Sequence, residues 1–142
     1  MSAARLIVPL VIVLALATGC GGSGGSDEAD VEDTITTYFA SLASGDGRQA
    51  CAQLTGNVAR SLLAEAMEFL PELRAVSCSD LAEKLSDSLG GAEQETLESI
   101  EVDTVRVNGD SATATIVGGT TAAQLTKEDG GWFISGGLRL AP

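Results

Sequence analysis

Histidine is absent from the 142-residue chain. That removes the usual general base near neutral pH and the commonest metal ligand. Any acid–base chemistry would fall to carboxylates, tyrosine, lysine or cysteine. Aromatics are scarce, with one Trp, one Tyr and three Phe, so a core must rest on Leu, Val, Ile and Ala. Bases are scarce too: 8 Lys and Arg face 20 Asp and Glu, for a net charge of −12. Recognition of nucleic acid needs a basic patch, and electrostatic adhesion to anionic lipid needs the same; neither is expected. The apolar run Leu6–Ala17 has 12 residues and contains Pro9, too short for a membrane-spanning helix of about 20.

That run follows Arg5 and fits the apolar centre of an export signal. It ends in Leu16-Ala17-Thr18-Gly19-Cys20. This stretch resembles the lipobox of bacterial lipoproteins, in which small residues precede a cysteine that takes diacylglycerol; Ala17 stands where Leu is commoner. The resemblance implies that residues 1–19 are a signal peptide removed after Gly19, and that Cys20 carries the lipid. The alternative is an ordinary secretory signal with a chance cysteine. Two or more acyl chains on one residue hold a protein stably on a bilayer. The chain is then expected on the extracytoplasmic face of the cell membrane. Residues 20–26 continue as a Gly/Ser tether, which reads as flexible coil. Arg5 leaves with the signal, so 20 acids face 7 bases in the remainder, net −13.

Lipidation uses one of three cysteines and leaves Cys51 and Cys78. An even pair in an exported protein points to a disulfide. A reactive or metal-binding pair is the alternative, but no CxxC spacing and no activating neighbour supports it.

Residues 27–142 read as one domain, helices first and strands second. Val31, Ile35, Tyr38, Phe39 and Leu42 lie on one face of a helix over Asp27–Ser44, which Gly45 stops. Asp27, Glu28, Asp30, Glu32 and Asp33 crowd its first turns, where the helix dipole favours acids; they read as a solvated helix start, lacking calcium-loop spacing. Asp46 and Gln49 have capping-box spacing for a short helix Gly47–Leu54. Thr55 caps a third, Gly56–Leu70, with Val58, Leu62, Ala66, Phe69 and Leu70 inward and Pro71 ending it. Ser77 or Ser79 caps a fourth, reaching Leu89 and closed by Gly90-Gly91.

The remainder reads as a four-stranded antiparallel meander. The first strand is placed at Leu97–Val107. Ile100 and Val102 share one parity, Val105 and Val107 the other, so a β-bulge is expected near Asp103-Thr104. Asn108-Gly109 signals a tight turn. Further strands are expected at Ser111–Val117, Thr120–Thr126 and Gly131–Leu140, the last with Trp132 and Ile134 on one face. Glu93, Glu95, Glu98, Glu101 and Asp103 read as a solvent face. The fold class is α+β, with N-terminal helices on a curved sheet.

The ordered segments Ile35-Thr36-Thr37-Tyr38-Phe39, Ser44-Gly45-Asp46-Gly47, Cys51-Ala52-Gln53-Leu54, Cys78-Ser79-Asp80-Leu81, Val105-Arg106-Val107-Asn108-Gly109-Asp110 and Asp129-Gly130-Gly131-Trp132-Phe133 together resemble the nuclear transport factor 2-like superfamily, across residues 28–138. The resemblance implies a sheet wrapped around helices as a cone, often with a pocket. Superfamily members include enzymes and pure binding modules, so fold alone does not set activity.

Tyr38, Phe39, Trp132, Ile134 and Asp103 are the candidate pocket residues. Tyr38 with Asp103, re-aimed by the bulge, would suit a small isomerase or cyclase acting on a hydrophobic substrate; as plain core, Tyr38 and Phe39 need no such role. Trp132 would either line the pocket or pack helix on sheet with its N–H bonded locally. The leading expectation is a non-enzymatic envelope lipoprotein with no cofactor, no metal and no catalytic residue. Its partners would be the membrane through the lipid, a small apolar ligand or an envelope protein, and a second copy as a homodimer.

Overall fold

A computed structural model describes residues 24–138. The expected signal peptide, Cys20 and the rest of residues 1–23, and residues 139–142, lie outside them. Five α-helices precede a four-stranded sheet: α1 Gly24–Ser44, α2 Gly47–Ala52, α3 Gly56–Phe69, α4 Cys78–Ser88, α5 Gly91–Glu98, then β1 Val102–Asn108, β2 Ser111–Ile116, β3 Ala122–Glu128 and β4 Gly131–Gly136. A 3₁₀ turn, Pro71–Leu73, separates α3 from α4. The sheet order is β1-β2-β3-β4, every pair antiparallel. The expected α+β class is therefore what the chain forms. Among the described residues no helix is long and apolar enough to cross a membrane.

The helix starts are set by side chains that satisfy otherwise orphaned N–H groups. The Asp46 carboxylate accepts from Gln49 N at 3.0 Å, Thr55 Oγ1 from Val58 N and Ser77 Oγ from Asp80 N. Helix α1 opens three residues earlier than Asp27, so Gly24–Ser26, expected as coil tether, are its first turn. Val31 and Ile35 are fully buried, and Tyr38 is nearly so; they share one core with Leu54, Leu62, Leu81, Leu125, Trp132 and Ile134. Ala112, Ala114 and Ala123 fill the inner face of the two central strands, and such small side chains let helices come close to the sheet.

Helices α2 and α4 approach so tightly that a Cβ on Gly47 would lie 2.1 Å from the Ser79 carbonyl oxygen. Only glycine fits there. The Cys51–Cys78 disulfide locks the same pair of helices, with Cα atoms 6.1 Å apart.

In β1 the register jumps from Val102↔Ile116 to Thr104↔Thr115, leaving Asp103 as the extra residue of the expected bulge. The β1–β2 turn centres on Gly109, φ +61°, and Asp110; the β3–β4 turn uses Asp129 and Gly130, both left-handed, which suits the twist of a two-residue hairpin. The outer edge of β4 is covered: Ile134 N donates to Gln53 O, and Thr55 N donates to Ile134 O.

Other expectations are corrected here. The first strand does not begin at Leu97, because Gly91–Glu98 is a helix; Ala92, Glu93, Gln94, Glu95 and Leu97 are good helix formers, and Gln94 Nε2 bonds Ser86 O. Phe69 is 60% exposed, and Ala66, Leu73 and Ala75 take the core positions at this end of α3. The third strand starts at Ala122 rather than Thr120, since the loop after β2 takes residues 117–121. The fourth ends at Gly136: Gly137 has φ +79°, and a Cβ there would lie 2.1 Å from the Ala122 carbonyl.

Candidate functional site

Two features stand out around α1. The first is a groove of about 240 Å³ between the C-terminal half of α1 and the far ends of the strands, lined by Tyr38, Phe39, Leu42, Leu62, Ile116, Thr121, Ala123, Gly137 and Leu138. Tyr38 and Phe39 pack edge to face, ring centroids 5.1 Å apart. Among the described residues no charged side chain lines the groove. Behind it, the void among α1 to α4 is only about 20 Å³ for a water-sized sphere, room for about one water. The space between the helices is thus filled by its own side chains; surface hollows of about 340, 490 and 310 Å³ each include a charged residue in their lining (Arg74; Glu128; Glu28, Glu32 and Asp103), and the groove differs from them in this respect.

Tyr38 borders both spaces and is 6% exposed. Its phenol bonds no other described residue, and burial pushes its pKa up to about 12. It is a neutral donor in the physiological range, and a poor base. Because the hydroxyl gains no hydrogen bond among the described residues, Tyr38→Phe is expected to leave stability within about 1 kcal/mol of the parent. Urea unfolding checks this; a loss of several kcal/mol would mean a bonded hydroxyl.

The second feature is a clasp. Lys127 Nζ lies 2.6 Å from Asp27 Oδ1, and Trp132 Nε1 donates to the same oxygen at 3.2 Å. The Lys127 ammonium sits 5.6 Å from the Trp132 ring centroid, within cation–π range. Thr34 Oγ1 also donates to the Trp132 carbonyl. Asp27 is therefore no part of a solvated helix start; Glu28, Asp30, Glu32 and Asp33 are exposed or nearly so, as expected. The Lys127 ammonium first, and the indole N–H second, hold the Asp27 carboxyl below its ordinary 3.8. The folded value lies under the unfolded one, so the clasp stabilises fully above the ordinary carboxylate range and fades as pH falls through the folded value. The thermal midpoint of the parent should drop more steeply below about pH 4 than that of Asp27→Asn; parallel curves would deny the clasp this role.

The five sequence-derived pocket candidates are thus divided. Tyr38 and Phe39 line the groove. Trp132 belongs to the clasp, its N–H bonded locally. Ile134 is fully buried under Gln53–Thr55. Asp103 is exposed at the bulge, beside Glu28, Glu32 and Val105, and does not converge with Tyr38. Among the described residues no cluster of Cys, Asp and Glu could hold a metal ion. Leu42, Ile116 and Leu138 were missed as groove residues, though Leu42 and Ile116 carry the right periodicity. Lys127 was missed because nothing local ties it to Asp27, 100 residues away.

Comparison with models of known families, with curated proteins and with solved structures finds no match to this chain.

Proposed function

We propose that the chain is a lipid-anchored binding module of the bacterial cell envelope: cleaved after Gly19, acylated on Cys20, and carrying on the extracytoplasmic face of the membrane a nuclear transport factor 2-like domain that takes a small apolar ligand, or an apolar segment of an envelope protein, in its groove. The observation that carries this reading is a groove whose described lining holds no charge, in a chain of net charge −12. A lining of Phe39, Leu42, Ile116 and Leu138 with one neutral phenol favours apolar surface bearing a hydrogen-bonding group. The Cys51–Cys78 disulfide supports an oxidising compartment. The isomerase reading would need a carboxylate facing Tyr38, and among the described residues the groove lining supplies none.

Two measurements test it. Mass spectrometry of membrane extracts should find Cys20 acylated, and Cys20→Ser should leave the membrane fraction; unchanged membrane retention would sink the anchor. The dye N-phenyl-1-naphthylamine should brighten with the parent, and Leu138→Glu should weaken its binding about tenfold or more, since a charge would have to be desolvated beside the ligand. Dye binding that ignores Leu138→Glu would remove the groove from the proposal.

A further inference from the structure

The two edges of the sheet differ. Gln53 and Thr55 bond the outer edge of β4. The other edge strand, β1, pairs only with β2 among the described residues. Asn108 and Ser111 flank the two-residue turn Gly109-Asp110, and the residues that close such a hairpin exchange both hydrogen bonds. Backbone groups alternate in direction along a strand, so those of Arg106 and Asn108 face β2 and those of Val105 and Val107 face outward. Two N–H donors and two C=O acceptors thus line this edge, with no backbone partner among the described residues. The bulge at Asp103 blunts one end of the edge against stray pairing; from Thr104 to Asn108 the register is regular.

A hollow of about 310 Å³ lies beside the same edge. Glu28, Ala29 and Glu32 of α1 form one wall; Val102, Asp103 and Val105 of β1 form the other, and its described lining holds no β2 residue. It therefore opens on the side of β1 away from β2. All three of its acidic residues are exposed. Arg106, the one base on β1, is exposed where Val105 and Val107 are half-buried, so it lies on the opposite face of the strand.

Edge and hollow together define an occupant. An extended segment laid antiparallel on β1 would bond Val105 and Val107, and each residue so bonded would turn its side chain to the face of the sheet that α1 covers. There it meets Glu28 and Glu32. A second copy of this chain fits poorly, because β1 against β1 would bring its own Glu28, Glu32 and Asp103 to the same seam, and like charges across a strand pair are destabilising. We propose that the β1 edge is a docking site for an extended, lysine- or arginine-rich segment of a partner protein, which adds as a fifth strand with alternate basic side chains over Glu28 and Glu32. The edge shares no residue with the groove, and the proposal does not depend on the lipid anchor.

The full chain in dodecyl maltoside micelles is titrated against the peptide fluorescein-TKVKVKVT-amide. Binding should raise the anisotropy of the peptide and slow hydrogen exchange at the Val105 and Val107 amides. Glu28→Gln/Glu32→Gln, at two exposed positions, should weaken binding about tenfold. Backbone N-methylation of the peptide's lysines keeps their charge, removes the donors that face β1, and should weaken binding about tenfold or more. Equal binding of the N-methylated peptide would mean charge attraction without strand addition. Equal binding of the glutamate analogue TEVEVEVT, or binding that ignores Glu28→Gln/Glu32→Gln, would remove the charge recognition. No binding at all would leave β1 a blunted edge only. Val105 and Val107 amides already protected in the free chain would mean that the chain itself or a second copy occupies the edge. Each of these results overturns the proposal and leaves the groove reading untouched.

Discussion

Breaking the Cys51–Cys78 bond is expected to lower folding stability by about 3.6 kcal/mol, on the chain-entropy model for a link across 27 residues. The enclosed loop holds all of α3 and the 3₁₀ turn, so the unfolded chain regains the freedom of a whole supersecondary unit. The native state loses little packing in exchange. Both cysteines are half-buried, and the α2–α4 contact is also held by the close approach of Gly47 to the Ser79 backbone. The double variant Cys51→Ala/Cys78→Ala should therefore fold to the same structure with a lower urea midpoint. Its thermal midpoint should drop on the order of 10 °C or more. The bond itself is checked by intact mass, which should rise by two hydrogen atoms on reduction. A stability change under about 1 kcal/mol would mean that α2 and α4 stay together in the unfolded ensemble without the bond, and the entropic account would fail.

That bond was legible because the chain leaves two cysteines once Cys20 is assigned elsewhere. Other features were legible for equally local reasons. A Ser, Thr or Asp placed just before an apolar-periodic run caps it whatever lies around it, which is why Asp46, Thr55 and Ser77 perform as their positions imply. The bulge at Asp103 follows from a parity conflict inside one strand, and no knowledge of the partner strand is needed.

What escaped was decided by distant partners. Glu93, Glu95 and Leu97 read equally well as a polar-faced strand or as a helix, and α5 settles on α1 only once both exist. Phe69 has the right phase for the core, but Ala66, Leu73 and Ala75 take the buried places around it. Asp27 looks like any acid at a helix start until β3 brings Lys127 to it. The groove shows the same division. Tyr38 and Phe39 were readable from the face of α1, whereas Leu138 becomes a lining residue only because Gly137 turns the chain across Ala122.

Trp132→Ala should be among the most damaging single substitutions in the domain, costing about 3–5 kcal/mol as a buried aromatic replaced by a methyl group. The indole is 4% exposed and belongs to the central cluster with Val31, Ile35 and Leu125. Two separable losses add together. One is the apolar volume between α1 and the sheet. The other is the N–H that helps hold the Asp27 carboxylate, which would keep only Lys127. Trp132→Phe divides them: it retains much of the ring bulk and removes the donor, and should cost clearly less than the alanine, on the order of 1–2 kcal/mol. The phenylalanine variant should also flatten the acid limb of the stability curve, because Asp27 then rises toward its ordinary carboxyl value. If the two variants cost the same in urea, the hydrogen bond outweighs the packing. The indole would then matter chiefly as the latch that keeps the first turn of α1 on the β3–β4 hairpin.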